Sequence, residues 1–514
     1  MRTHSIKIQE LGDKLMVKSI MIQGTASDVG KSILVAGLCR IFYQDGLEVV
    51  PFKSQNMALN SYITLTGHEM GRAQVFQSEA AGKEPDVRMN PVLLKPTSDR
   101  KSQVIFNGKV LDNMDAVEYH EFKPTLSGKI SELYQELGAE NDVIVIEGAG
   151  SPAEINLNSR DIANMGMARI ADAPVVLVAD IDRGGVFASI YGTIELLEPE
   201  ERARVKGVII NKFRGDKALL TPGLEMIEKL TNVPVLGVIP YGDFKIEDED
   251  SVALKNVNRH YDNNKELDVA VVSLSKISNF TDFNSLELEP DVSLRYVFPG
   301  DVIGNPDVLL IPGSKNTLED SLYLEESGLA NEIKQLRQKG TYIFGICGGY
   351  QLLGEELFDP NQVESSTGST KGLGLLPVET TMLETKVTAQ VKGKRDELEV
   401  TGYEIHMGET TLKGVEPFAH ITTENNKEVD RLDGAVSEDG KVYGTYLHGV
   451  FDGSEFRRDF LNKVRKNKGL EPLNHITQEY KDFKAEQYDK LADSLRESLD
   501  MEKIYEIVNQ SEEE

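Results

Sequence analysis

Tryptophan is absent from this sequence, and only two cysteines, Cys39 and Cys347, occur in its 514 residues. Two cysteines exclude a disulfide framework and suit a reducing cytosol. Long apolar runs are missing as well. The longest, APVVLVADI at 173–181, falls short of the roughly 18 residues of a membrane span and has the length of a buried parallel strand. The opening stretch, MRTHSIKIQELGDKLMVKSIMIQG, lacks the apolar core of a signal peptide. Residues 1–16 are expected to be an extension, with Met16 an alternative start. Positive charge is in deficit: 56 Lys and Arg against 84 Asp and Glu give a net charge of −28. That balance argues against general nucleic-acid binding and against an anionic membrane surface. Anions remain accessible locally, through backbone N–H groups and a few lysines. These absences predict a soluble, cytoplasmic chain, and its length predicts more than one domain. They leave the oligomeric state open.

What is present reads as two α/β series. In the first, Val/Ile-rich runs recur at 17–24, 48–52, 142–148, 174–180, 205–211 and 234–240, separated by helical stretches. A parallel sheet covered on both faces is expected over 17–245. A polar stretch follows, and 246–266 is read as a linker. The second series, with runs at 269–274, 307–313, 342–347 and 442–449, predicts another α/β domain over 267–455. Residues 456–514 are expected to be helical with an acidic tail, Tyr488, Leu491, Leu495 and Leu499 sharing one face.

IMIQGTASDVGKSILVAGL has the order strand, glycine-bearing loop, Gly-Lys-Ser, helix. Loop N–H groups and the helix start can surround phosphate oxygens, Lys31 can neutralise charge, and the Ser32 hydroxyl can join a Mg²⁺ shell. Gly24, Thr25, Ser27, Asp28, Val29 and Gly30 complete the expected ATP cradle. The spacing departs from the usual P-loop, since Gly24 lies six positions before Gly30 and Thr25 stands where a first glycine is expected. Glu147, ending DVIVIEG, is expected at the carboxyl end of the sheet as a Mg²⁺ ligand or as a helix-capping carboxylate. Lys53 and Asn211 end two other strands, and the Asn211 amide is suited to a purine edge. GTASDVGKS, EGAGS and the Asn after VII resemble the dethiobiotin synthetase type of P-loop fold. That resemblance implies ATP-driven conversion of a carboxylate into a mixed phosphoric anhydride. Thr25, Ala26 and Ser27 leave no place for the extra lysine of partition ATPases.

TYIFGICGGYQLLG sets Cys347 among glycines where an apolar run gives way to a helical pattern. A nucleophile elbow needs small neighbours, and a helix start favours a thiolate. His448, after the strand in YGTYLHGVFD, is the expected base, with His406 a second candidate. N–H groups near Gly313 and at Gly348 are placed to converge on one oxygen. A buried, inert cysteine would call for bulkier neighbours and no matching histidine. This half resembles the class I glutamine amidotransferases, which implies Cys347 as nucleophile and His448 as base. The family ending His-x-Glu is replaced here, since Val450 stands in place of the glutamate. That absence characterises the cobyric and cobyrinic acid amide synthases. Asp452, Glu404 or a backbone carbonyl would then orient the imidazole.

KSQNMALNSYIT, EMGRAQVFQSEAAG, MNPVLLKP, RDIANMGMARIADAPVVLVADIDRGGVFAS and NFTDFNSLELEP are similar to the cobyric acid synthase family. The resemblance implies ATP- and glutamine-dependent amidation of the b, d, e and g carboxylates of adenosylcobyrinic acid a,c-diamide through acyl phosphates. It places the loops around 53–100 and 147–185 toward the corrinoid. Gln55, Asn56, Asp161, Asn164, Asp182 and Arg183 are candidates there, each equally suited to a loop cap or an ion pair. Two other readings stay open on the residues alone. One is amidation of another acid, either in the a,c-diamide synthase step or on a cell-wall lipid intermediate. The other is a nucleotide-switched binding protein with an inert amidotransferase domain.

Overall fold

The computed structural model describes residues 17–96, 101–247, 257–474 and 477–509. The expected extension 1–16, residues 248–256 of the linker and the acidic end 510–514 lie outside the described residues. Two compact units result, and neither is a continuous stretch. One is drawn from residues 1–54, 123–242 and 494–514, the other from 55–122 and 243–493. Compactness therefore does not follow the contiguous 17–245 division: residues 55–122 group with the second α/β series. The reason is local. The hairpin Ser61–Ile63/Glu69–Gly71 is tied to the strand Val378–Arg395, where the Thr388 hydroxyl donates to the Gly67 carbonyl at 2.8 Å and the Gln390 amide donates to the Ile63 carbonyl.

In the first unit the six expected strands form one parallel sheet. Its order is Val235–Pro240, Val205–Phe213, Val175–Asp180, Ser19–Gly24, Val143–Glu147, Val49–Phe52. The four strands at Ser19–Gly24, Val49–Phe52, Val143–Glu147 and Val175–Asp180 are buried at every position, which is why they read as unbroken apolar runs rather than alternating ones. Ser19–Gly24 is interior to the sheet, and its chain runs directly into the loop before the helix Lys31–Gln44. The carboxyl ends of its neighbours supply the rest of that edge, where open α/β sheets gather ligands.

The second unit holds a parallel sheet ordered Val292–Val297, Leu267–Val272, Val308–Ile311, Tyr342–Ile346, Val442–Thr445, with Ala435–Val436 antiparallel at the edge. Beside it in the chain, Val378–Arg395 and Leu398–Leu412 form a long antiparallel hairpin within a second six-stranded sheet. The helix Ser454–Asn467 is pinned by buried ion pairs: Arg457 to Glu289 at 2.6 Å, and Arg458 and Arg465 to Asp291 at 2.8 Å each. Removing one partner would leave a buried charge uncompensated, at a cost of about 3–5 kcal/mol. Helix Tyr480–Ser498 follows in the chain and leaves this unit after residue 493, Met501–Asn509 belongs to the first unit, and Tyr488, Leu491, Leu495 and Leu499 are all buried. Among the described residues no helix is long and apolar enough to cross a membrane.

Candidate active sites

The first constellation lies at the carboxyl edge of the first unit's sheet. Asp28 and Gly30 both take positive φ, 58° and 97°, so the loop curls back over the end of Ser19–Gly24. Gly24 and Gly30 are both spatially required. A Cβ on Gly24 would stand 2.6 Å from a Val29 methyl and 2.9 Å from the Lys31 ammonium, and one on Gly30 would stand 2.3 Å from the Asn211 amide nitrogen. Lys31 Nζ donates to the carbonyls of Ala26 and Gly150, both at 3.0 Å, bridging the loop to the chain after Glu147. Thr25 N–H is held by the Val178 carbonyl at 2.9 Å, while Ser27 and Asp28 are exposed on the loop.

Glu147 is nearly fully buried, and one of its oxygens accepts from both the Ser32 hydroxyl (2.8 Å) and Lys53 Nζ (2.9 Å). A hydroxyl and a carboxylate in contact supply hard oxygen donors that suit Mg²⁺, with most of its shell left for phosphate and water. Asn211 does not project its amide away from the loop: Nδ2 donates to the Val29 carbonyl at 2.9 Å, fixing the loop from the neighbouring strand. Lys212, unremarked in the sequence, adds a second tie, donating to the Asp28 carbonyl at 2.6 Å and to Asp180 at 3.0 Å.

The corrinoid-side candidates separate. Asp161 accepts from the N–H groups of Ala163, Asn164 and Gly166, a loop cap. Asn164 clasps Ala149, accepting from its N–H and donating to its carbonyl. Asp182 accepts from Arg214 at 3.2 Å, and Arg183 lies 3.6 Å from Asp28 with most of its side chain exposed. Gln55 and Asn56 belong to the second unit, where Gln55 accepts from the Tyr119 hydroxyl at 2.6 Å and Asn56 donates to Gln74 at 3.1 Å.

The second constellation lies wholly within the second unit. Cys347 follows the strand Tyr342–Ile346 with φ 52° and ψ −110°, a conformation uncommon for a residue with a Cβ. The turn is possible because its neighbours lack side chains. A Cβ on Gly349 would stand 1.9 Å from the Ile311 carbonyl oxygen, and one on Gly345 would stand 2.6 Å from the Gly349 carbonyl oxygen. Gly348 lies against the Ser314 amide nitrogen, 2.7 Å from where its Cβ would be. Gly313 lies 3.3 Å, on the same measure, from the His448 ring. The two expected oxyanion segments therefore border one site.

His448 is buried at the end of Val442–Thr445, and its Nδ1 lies 2.7 Å from the Asp282 carboxylate. A carboxylate there accepts only, so Nδ1 carries the hydrogen and Nε2 is left for chemistry. Asp282 is fixed in turn by the Gly449 N–H at 3.0 Å. Burial disfavours the imidazolium, but Asp282 and then Cys347 outweigh it and raise the imidazole to about 10. The orienting group is therefore neither Asp452 nor Glu404. Asp452 donates its N–H back to the Gly449 carbonyl, and Glu404 pairs with Arg431 at 2.8 Å. Val450 is simply buried apolar core. His406 is engaged elsewhere, stacked on Tyr446 with ring centres 3.7 Å apart and with Nδ1 2.7 Å from the Gly408 carbonyl.

Further residues surround this pair, and two of them are tied to the stretch Asn60–Ser61. Tyr403 stacks on the His448 ring and donates its hydroxyl to the Ser61 carbonyl at 3.2 Å. Asn279, 3.5 Å from His448 Nε2, exchanges hydrogen bonds with Asn60 and the Ser61 N–H. Gln351 on the helix after Cys347 is fixed by the Thr317 and Tyr446 hydroxyls. None of Asp282, Asn279, Gln351 or Tyr403 was singled out by sequence. For Asp282, the one signal was an acidic residue inside NFTDFN that proves to be buried.

The chain matches two family models. Residues 20–251 match the CobQ/CobB/MinD/ParA nucleotide binding domain, and 268–456 match the CobB/CobQ-like glutamine amidotransferase domain. It is 66% identical to the cobyric acid synthase of Streptococcus sanguinis over 97% of this chain and 100% of that protein. Identity is 60% to that of Listeria monocytogenes (96% and 97% covered) and 58% to that of Yersinia enterocolitica (96% and 99%).

Proposed function

This chain belongs to the cobyric acid synthase family, and on that premise we propose how its residues carry out glutamine- and ATP-dependent amidation of a corrinoid. The acceptor is adenosylcobyrinic acid a,c-diamide, amidated at its b, d, e and g carboxylates in cobalamin biosynthesis. The observation that carries the glutamine half is the hydrogen-bonded Asp282–His448 pair beside Cys347 at a strained elbow.

Cys347 Sγ attacks the carboxamide carbon of glutamine, and N–H groups at Gly348 and Gly313 receive the charge developing on oxygen. The C–N bond then breaks. The imidazolium of His448 gives its Nε2 proton to the leaving nitrogen, releasing ammonia and a thioester. Neutral His448 next takes a proton from water, which attacks the thioester and frees glutamate and the thiol.

At the other site an oxygen of the substrate carboxylate attacks the γ-phosphorus of ATP, and ADP leaves. Ammonia attacks the resulting acyl phosphate, expelling phosphate and leaving the amide. Loop N–H groups, Lys31 and Lys53 hold phosphate oxygens, and Asn211 and Lys212 hold the loop in shape. Ser32 and Glu147 would hold Mg²⁺, which when bound neutralises charge on the β- and γ-phosphates. The free thiols of Cys39 and Cys347 fit a cytoplasmic setting.

The direct test is an end-point assay with the full chain, ATP, Mg²⁺, glutamine and the a,c-diamide. Mass spectrometry should show amides accumulating on the corrinoid, with one glutamate and one ADP formed per amide. Glutamine hydrolysis with the corrinoid left unchanged would refute the acceptor.

A further inference from the structure

The Cys347 site contains three lysines, and the mechanism above uses none of them. Lys95, Lys315 and Lys386 all line a small chamber of about 40 Å³ that also holds Cys347 and His448. Two of the three already have an ionic partner. Lys95 and Lys386 share the buried Glu69 carboxylate at 2.8 and 2.5 Å. Burial would raise Glu69, but Lys386 and then Lys95 hold its carboxyl well below the usual range. Lys315 differs. Its ammonium makes no hydrogen bond or ion pair with any described residue.

Lys315 also stands at a junction. Together with Glu364 and Met407 it lines both the Cys347 chamber and an adjoining cavity of about 300 Å³. Glu364 is held there by the Thr317 N–H at 2.8 Å, which leaves its carboxylate further acceptor capacity. Burial pushes the Lys315 ammonium down and the Glu364 carboxyl up from their ordinary values. Each therefore gains from an opposite charge supplied by a ligand. The chamber beside Cys347 has room for a side-chain amide but not for a whole amino acid. A substrate whose carboxamide reaches Cys347 must leave its other end at this junction.

We infer that Lys315 and Glu364 form the subsite for the amino-acid end of glutamine, Lys315 holding the α-carboxylate and Glu364 the α-ammonium. The inference rests on the reading of Cys347 as the glutamine nucleophile. A free amino acid satisfies both groups at once. A primary amide without that head, such as a peptide side chain, leaves both unpaired.

The test compares ammonia release from L-glutamine with release from L-glutaminamide, whose α-carboxylate is replaced by a neutral amide. Wild type should prefer glutamine in kcat/KM. Lys315→Met should collapse that preference about 10- to 100-fold, the worth of a charge-assisted hydrogen bond, chiefly by raising KM for glutamine. Lys315→Arg should restore most of it. An undiminished preference in Lys315→Met, including an equal loss on both compounds, overturns the assignment. Failure of the underlying reading looks different: wild type and Cys347→Ser would then release ammonia from glutamine at the same rate.

Discussion

Replacing Asp282 with asparagine should lower glutamine-driven amidation about 100- to 10,000-fold, the range for losing the carboxylate that orients a catalytic imidazole. Asparagine keeps the shape and offers a hydrogen bond but no charge, and its NH₂ group stabilises the wrong tautomer of His448. Synthesis with ammonium in place of glutamine should change little, because the partners of the Asp282 carboxylate among the described residues are the amidotransferase histidine and its neighbour Gly449. A pH profile separates this from structural damage. In the wild type burial works against the imidazolium, but the Asp282 carboxylate and then Cys347 outweigh it and raise His448 from an ordinary 6.5 to about 10. The imidazolium that protonates the leaving ammonia therefore survives through neutral pH and is lost only as pH rises through about 10. Without Asp282 that alkaline loss should move down toward the ordinary imidazole range. The same shift bears on stability. The imidazolium–carboxylate pair stabilises the fold fully below 6.5 and ceases to do so as pH rises through about 10. An Asp282→Asn enzyme with wild-type glutamine turnover and an unmoved alkaline limb would remove Asp282 from the mechanism.

The second large effect is expected at Lys31. Lys31→Met keeps the buried stem but removes the ammonium that bridges Ala26 and Gly150 over the loop. Carboxylate activation should fall at least about 100- to 1,000-fold, the scale for deleting a donor aimed at transition-state charge. Unlike Asp282→Asn, this change should cut glutamine-driven and ammonium-driven amide formation together, since both nitrogen sources consume the same acyl phosphate. The measurement is corrinoid amide formed with each source. Ammonium-driven synthesis within a few-fold of wild type would mean that the loop does not hold the reacting phosphate.

Legibility in the sequence followed how local each device is. The phosphate cradle is a single run from Ser19 to Ser32, so strand, loop and helix could be read in order. Cys347 was equally readable, because its strained turn demands glycines at adjacent positions. Asp282 lies 166 positions from His448, and only the folded chain brings them together. Val450 in the familiar position points to acids close by in the sequence or on the neighbouring strand, Asp452 and Glu404, and neither meets His448. The six strands of the first sheet were visible as apolar runs because most are buried on both faces. The hairpin Val378–Arg395/Leu398–Leu412 alternates buried and exposed positions over much of its length, so it contains no unbroken Val/Ile run to mark it as strand. That hairpin carries Lys386 and Tyr403 beside His406, and of the three only the histidine stands out by residue type. The grouping of residues 55–122 with the second unit was hidden for the same reason, since it depends on pairings far apart in the chain.

Cys347 makes the ammonia that the acyl phosphate consumes, and free ammonium can replace that supply. Cys347→Ser tests this most directly, with amide formation on the a,c-diamide measured from glutamine and from ammonium in parallel. Glutamine-driven product should be lost, with ATP-dependent synthesis from ammonium surviving near the wild-type rate. Equal glutamine-driven synthesis by wild type and Cys347→Ser would contradict it.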